Sequence, residues 1–248
     1  MASTIVLITG ANSGVGYATS KILAEASPNY HIIMASRSLP KLDAALSELS
    51  FLSTIKGTLS ALQLDVIDQN SISAAAAQVE QSYGHIDVLI NNAAIGCRDP
   101  DLAKRLRISL ETNAIGPALV SAAFRPLLLR SQNPYSIYIS WGQGSLERAS
   151  KETAQLLSNA EAYRMSKAAM NMIALNEKIE YAGKGLKVFV ACPGFVRSNL
   201  RGTGEDARSG WGKAGDPEVS GRMVLDIVSG KRDGDVGKFV WTNGTYPW

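Results

Sequence analysis

The chain has 248 residues, 46% hydrophobic and 19% charged, with a formal net charge of +3. That balance describes a globular protein of one or two domains with a sizeable core, and so small and dispersed a charge argues against nucleic acid or an anionic membrane surface. No apolar run is long enough to span a bilayer, the apolar stretch near the start lacks a basic leader, and two cysteines, Cys97 and Cys192, make neither a disulfide framework nor a metal cluster, so a reduced cytoplasmic protein without metal is expected.

Residues 5–8 are a short, wholly apolar run, which reads as a strand buried on both faces of a parallel sheet. It leads into Thr9-Gly-Ala-Asn-Ser-Gly-Val-Gly16. Ser13 is placed to cap a helix reaching about Ala26, with Ile22, Leu23 and Ala26 inward. Strand, glycine-rich turn and helix make a phosphate cradle. Gly10 allows the tight turn, Gly14 admits a pyrophosphate to the backbone, and the helix N-terminus offers unpaired N–H groups.

Residues 31–35 are the second strand, ending at Ser36-Arg37. Dinucleotide folds read the adenosine ribose about 20 residues after the glycines. No carboxylate stands there. Arg37 beside Ser36 suits a 2′-phosphate, which favours NADP(H), although a solvent-facing arginine at a strand end is a plainer alternative.

Pro40 lies in the first turn of the next helix, a third strand covers 59–64 before Asp65-Val66, and an alanine-rich helix covers about 68–83. A fourth strand, 86–90, runs into Asn91-Asn92-Ala93-Ala94. His31 and His85 each open a strand and are given no catalytic role. A helix from about Leu102 passes Asn113 and Gly116-Pro117 and ends near Arg130. Strand five, 136–140, is followed by a polar loop, about 142–160, then a helix over 160–181. Strand six, 186–191, ends at Cys192-Pro193-Gly194, and a second polar loop, 197–216, carries Trp211. A last helix (217–229) and a last strand (238–241) follow. The alternation predicts an α/β protein: one doubly wound parallel sheet of the Rossmann type, helices on both faces, in a single domain over 1–248.

Tyr163 and Lys167 are four residues apart on the predicted helix, so they share one face. Lowering a tyrosine pKa from about 10 to about 7 takes roughly 4 kcal/mol. A cation about 4 Å away, at an effective dielectric near 20, supplies about that much. The pair is then a usable general acid. Two unrelated residues of a surface helix would show the same spacing.

Taken together, Thr9-Gly10…Gly14…Gly16, Asn91-Asn92-Ala93, Asn113, Tyr163…Lys167 and Pro193-Gly194 give a chain that resembles the short-chain dehydrogenase/reductases over essentially its whole length. The three residues between Gly10 and Gly14 match that family and not the G-x-G-x-x-G of other dinucleotide folds. The ending, residues 243–248, is similar to fungal carbonyl-reductase-like members. The resemblance implies that Gly10, Asn12, Ser13, Gly14, Val15 and Gly16 hold the cofactor pyrophosphate and Arg37 its 2′-phosphate. Asp65 and Val66 would border the adenine, and Asn91 would stabilise the central sheet beside the adenosine ribose, with Ala93 also on the cofactor. Pro193, Gly194, Val196 and Ser198 would form the nicotinamide side, Val196 meeting the carboxamide. Tyr163 would be the proton donor or acceptor. Lys167 would bind the nicotinamide ribose and lower the tyrosine pKa, and Asn113 would hold a water linking Lys167 to solvent. Members are often homodimers or homotetramers.

The departures from the family are as informative. A serine usually ends strand five and hydrogen-bonds the substrate oxygen, often as the second of two. Here the pair is Ser140-Trp141, and 23 positions separate Ser140 from Tyr163, well above the dozen or so usual. Three readings stay open: a one-residue shift brings Ser140 into place, Ser145 reaches in from the loop, or no serine serves and Trp141 walls the nicotinamide. Ala94 stands for a usual glycine, Ser198 for a threonine, and Cys97 is treated as a loop residue near the substrate mouth. The expected activity is NADP(H)-dependent interconversion of a hydrophobic carbonyl compound and its alcohol, with a secondary metabolite as a candidate substrate. The alternatives are cyclisation, dehydration or isomerisation in a reshaped pocket, and a non-catalytic NADPH sensor.

Overall fold

The computed structural model describes residues 3–151 and 160–248. The part of the first polar loop at 152–159 lies outside the described residues.

Strands β1 (Thr4–Thr9), β2 (Tyr30–Ser36), β3 (Thr58–Gln63), β4 (Val88–Asn91), β5 (Tyr135–Ile139), β6 (Lys187–Ala191), β7 (Phe239–Trp241) and β8 (Gly244–Tyr246) form one sheet. Its order is β3-β2-β1-β4-β5-β6-β7-β8, parallel from β3 through β7. Alternate residues of the strands face two separate cores. Leu7, Ile33 and Leu89 pack under α3 (Gln69–Tyr83), α5 (Gly116–Leu128) and α7 (Glu161–Tyr181). Val6, Ile8, Ile32 and Ile90 pack under α1 (Gly14–Ala26), α2 (Leu39–Ser50) and α9 (Glu218–Val228). The unbroken apolar strands are therefore explained: both faces are covered.

Several details differ from the expectation. Ala26, predicted inward, is exposed, because α1 ends there and Ala24 with Leu23 makes the buried contact instead. Ser13 occupies the cap position of α1, yet its side chain makes no capping bond. The long fourth helix is interrupted: α4 (Leu102–Leu110) passes through a π-helical turn (Glu111–Ile115) into α5. The cause is Pro117, which has no N–H for the Asn113 carbonyl and whose ring crowds it. The widened turn absorbs that conflict.

The sheet is not wholly parallel, since β8 pairs antiparallel with β7. Trp241 pairs with Gly244 across the two-residue turn Thr242-Asn243, a hairpin that the strand reading passed over. Strand β5 also ends one residue early, leaving Ser140 just beyond the ladder, although its N–H still bonds the Ala191 carbonyl at 2.8 Å. The first polar loop opens with a short helical turn (Gly142–Gly144) and α6 (Leu146–Lys151). Both pack back on the β8 end: the Glu147 N–H bonds the Trp248 carbonyl at 2.8 Å, and the Arg148 guanidinium lies 4.2 Å from the Tyr246 ring centre. The second polar loop folds as a turn (Asn199–Arg201) and α8 (Glu205–Arg208), tied by a bridge between Val196 and Gly215.

Candidate active site

Parallel strands place their carboxyl ends on one edge, and the strand order reverses between β1 and β4, where such sheets open a crevice. A cleft of about 1140 Å³ lies there. One end is the glycine turn, with Gly10, Asn12, Ser13, Gly14 and Val15 on its wall, and Ser36, Arg37, Asp65 and Val66 beside it. The other end is built by Tyr163, Trp141, residues 94–98 and the second polar loop.

The turn fits a dinucleotide. Gly10 has φ +66°, and a Cβ there would fall 2.8 Å from the Ala93 Cα. At Gly16 a Cβ would fall 2.5 Å from the Asn92 side-chain nitrogen and 2.6 Å from the Gly10 carbonyl. Side chains at these positions would push the turn apart, so bare backbone N–H groups remain facing the cleft. The uncommitted Ser13 hydroxyl adds a donor. Ser36 donates to Asn12 at 3.0 Å, which steadies the strand end beneath the exposed Arg37. Lys41, one turn on, also lines the cleft and is a second cation that the sequence reading missed. Its place, four residues beyond Arg37 at the start of a helix, was the available signal.

Not every expected cofactor residue reaches the cleft wall. Gly16 is absent from it, packed instead against Asn92 and the Gly10 carbonyl. Asn91 is buried and donates to Ser121 at 2.9 Å, with Asn92 and Ala93 forming the wall in its stead. Its role in this structure is to fix the β4 end. Ala93, Pro193, Gly194, Val196 and Ser198 do line the cleft. So does Cys97.

Helix α7 brings Tyr163 and Lys167 to the same wall, with the ammonium 5.6 Å from the phenol ring centre. The Lys167 Nζ donates to the Ile139 carbonyl at 2.8 Å, so it is anchored to the end of β5. Burial lowers the Lys167 pKa to about 7 and pushes the Tyr163 phenol well above its ordinary value. This corrects the expected pairing energetics. Desolvation is the main cause for both, since both groups have left water. Near neutral pH the phenol therefore keeps its proton. Asn113 is fully buried, does not line the cleft, and sits in the π-helical turn. Its side chain accepts from the Ile95 N–H at 2.8 Å and donates to the Ile95 carbonyl and the Ser166 hydroxyl, each at 3.0 Å. It clamps the loop after β4 to α7.

The three serine readings separate clearly. Ser140 borders the cleft but is 2% exposed, and its hydroxyl donates to Asn171 at 2.6 Å. Ser145 is buried off the cleft and accepts from the Arg148 N–H at 3.1 Å, capping α6. Trp141 lines the cleft, its ring tilted 57° on Tyr163 with centroids 5.4 Å apart. The Ser140 hydroxyl thus has its proton committed to α7, because β5 ends at Ile139 and the next residue outward is the tryptophan. Of the two predicted substrate loops, the described residues 142–151 do not touch the cleft, whereas the second supplies Leu200, Arg201 and Trp211. Arg98, Phe195 and Arg201 also line it and were not singled out from the sequence. Among the described residues, no group of three His, Cys, Asp or Glu could hold a metal, and no helix is long and apolar enough to cross a membrane.

The chain carries a doubly wound dinucleotide fold with a tyrosine and a lysine one turn apart at its crevice. Residues 4–208 match the short chain dehydrogenase family. Short-chain dehydrogenase/reductase tropE of Talaromyces stipitatus is 31% identical, aligned over 96% of this chain and 95% of that protein. Short-chain dehydrogenase anuI of Penicillium roqueforti is 35% identical over 80% of this chain and 81% of its own. The NADPH-bound carbonyl reductase from chicken fatty liver shares the fold at a TM-score of 0.81, with 28% identity and full coverage of both chains. This protein belongs to the short-chain dehydrogenase/reductase family, an oxidoreductase family.

Proposed function

We propose that the protein is an NADPH-dependent reductase of a ketone or aldehyde, working in reverse on the alcohol, with a hydrophobic substrate. The observation that carries this reading is the single cleft running from the glycine turn and Arg37 to the Tyr163 hydroxyl. A reduced nicotinamide would supply hydride to the carbonyl carbon. Tyr163, kept protonated by burial, supplies the proton to the carbonyl oxygen. Lys167, with a pKa near 7, is suited to return a proton to the phenol and to hold the ribose hydroxyls. Arg37 and Lys41 would meet a 2′-phosphate, and the glycine turn the pyrophosphate. The Trp141, Phe195 and Trp211 surfaces favour an apolar or aromatic substrate, with a secondary metabolite as the candidate. The test is NADPH oxidation against a panel of aromatic ketones and aldehydes. Tyr163→Phe is expected to lower kcat by at least 100-fold, and equal rates for both proteins would sink the reading.

A second reading keeps the cofactor site but replaces redox turnover with isomerisation, dehydration or cyclisation. The Ser140–Asn171 bond favours it, because it takes away the usual donor to the substrate oxygen. Product formation that persists without nicotinamide would support it, and one NADPH consumed per product would reject it.

We also propose one domain over 1–248 acting as a homodimer or homotetramer. Met165, Met172 and Ile179 form an exposed stripe along α7, and Ile115 is exposed on the α4–α5 turn. The mass in solution tests this.

A further inference from the structure

At the substrate end of the cleft stand two guanidinium groups, Arg98 and Arg201, with no carboxylate partner among the described residues. The nearby acids are already used: Glu205 pairs with Arg197 at 2.5 Å, and Asp99 with Lys104 at 2.6 Å. Arg201 is no loose surface cation. Its Nε donates to the Ala207 carbonyl at 3.0 Å, and its Nη2 to those of Val196 and Arg208, both at 2.9 Å. Its plane lies over Phe195, 4.4 Å from the ring centre. That leaves the Nη1 amino group without a protein acceptor, on a fork already held in place. Arg98 is near enough to disfavour the charge on Arg201, and Arg201 near enough to Tyr163 to favour the phenolate. Two like charges close together beside an apolar wall, one of them fixed, make a place for an anion.

We propose that Arg201, assisted by Arg98, binds a carboxylate on the substrate, whose apolar or aromatic body lies between Trp141, Phe195 and Trp211. The protein is on this account selective for carbonyl acids over neutral carbonyl compounds. The inference rests on the reductase reading for the identity of the reacting group, but its test does not. Held by a fixed guanidinium, the carboxylate also sets which face of the carbonyl meets the Tyr163 hydroxyl.

The experiment measures calorimetric binding of 4-acetylbenzoate and of its methyl ester to the NADP⁺-loaded protein. The acid is expected to bind about ten- to a hundredfold tighter than the ester. Arg201→Gln is expected to bring the two within about threefold of each other, the loss falling mainly on the acid. Arg98→Gln, at an exposed residue with no hydrogen bond to lose, is expected to cost the acid about two- to fivefold and the ester nothing. This variant keeps the proposal testable should the loss of three loop hydrogen bonds unfold Arg201→Gln. Equal binding of acid and ester to the wild-type protein overturns the proposal. So does an equal loss of both ligands in Arg201→Gln, which would make the arginine a loop brace. A matching fall in NADP⁺ affinity would assign it to the cofactor diphosphate and would also overturn it. Binding of the acid without its reduction by NADPH would sink the reductase reading and leave this inference standing.

Discussion

Lys167 is 1% exposed and carries its amine where an ammonium ion is poorly accommodated. Its folded pKa of about 7 lies below the unfolded value near 10.5. Below pH 7 both states bind the proton and the full cost of burying the charge is present. Between pH 7 and about 10.5 only the unfolded chain stays charged, so stability rises with pH, by on the order of 1 kcal/mol per unit. Lys167→Met removes this dependence. Thermal melts of the cofactor-free variant and wild type should differ most at pH 6 and converge toward pH 10, and a constant difference would show that the burial is relieved. Ser140 gives a second prediction. With its proton on Asn171, Ser140→Ala should lower stability by about 1–3 kcal/mol and kcat by less than tenfold. A 100- to 1000-fold fall would restore it as the donor to the substrate oxygen. At this scale the spacing of the tyrosine and lysine was not enough by itself, and the pair stood out only beside the glycine turn, Asn91, Asn113 and Pro193-Gly194. Their proton affinities were not legible, since these depend on burial, which spacing does not reveal.

The π-helical turn between α4 and α5 shows how an element serves the site without touching the cleft. Gly116-Pro117 marks the interruption in the sequence, and the interruption puts Asn113 where it can hold both polar groups of Ile95 and the Ser166 hydroxyl. Asn113→Ala should cost about 2–3 kcal/mol, since it orphans buried partners. Because Ile95 lines the cleft, KM for substrate should rise more than the KM for NADPH, measured by varying each in turn. Strands and helices were otherwise readable from apolar runs and caps to within a residue or two. The exceptions have local causes: α1 leaves the core two residues before its end, and the Thr242-Asn243 turn adds β8 beyond a strand that looked like the end of the sheet.

The whole molecule joins two ends that the sequence reading treated unequally. The glycine turn, Arg37, Asp65 and Val66 were found because a phosphate cradle has a local pattern on one strand–helix unit. The substrate end collects residues 94–98, Trp141, Phe195 and residues 198–202 from three separate segments, so no local pattern announces it. Charge follows the same division. Arg37 and Lys41 face the cofactor end with no ion-pair partner among the described residues. Arg37→Ala should weaken NADPH by about ten- to a hundredfold and NADH by less than threefold in fluorescence titrations, and equal weakening would reject the 2′-phosphate assignment.

The tilted contact between Trp141 and Tyr163 makes the acid visible to light. Trp241 stacks on Tyr246 and Trp248 on Phe239, so each of these indoles reports on the β7–β8 edge. Trp141 alone among the described ring contacts reports on the site. A tyrosinate quenches a neighbouring indole, so the emission difference between wild type and Tyr163→Phe traces one phenol's ionisation. That difference should stay flat through pH 10, where ordinary tyrosines titrate. Without substrate or turnover, the protein thus offers an optical readout of its own proton donor.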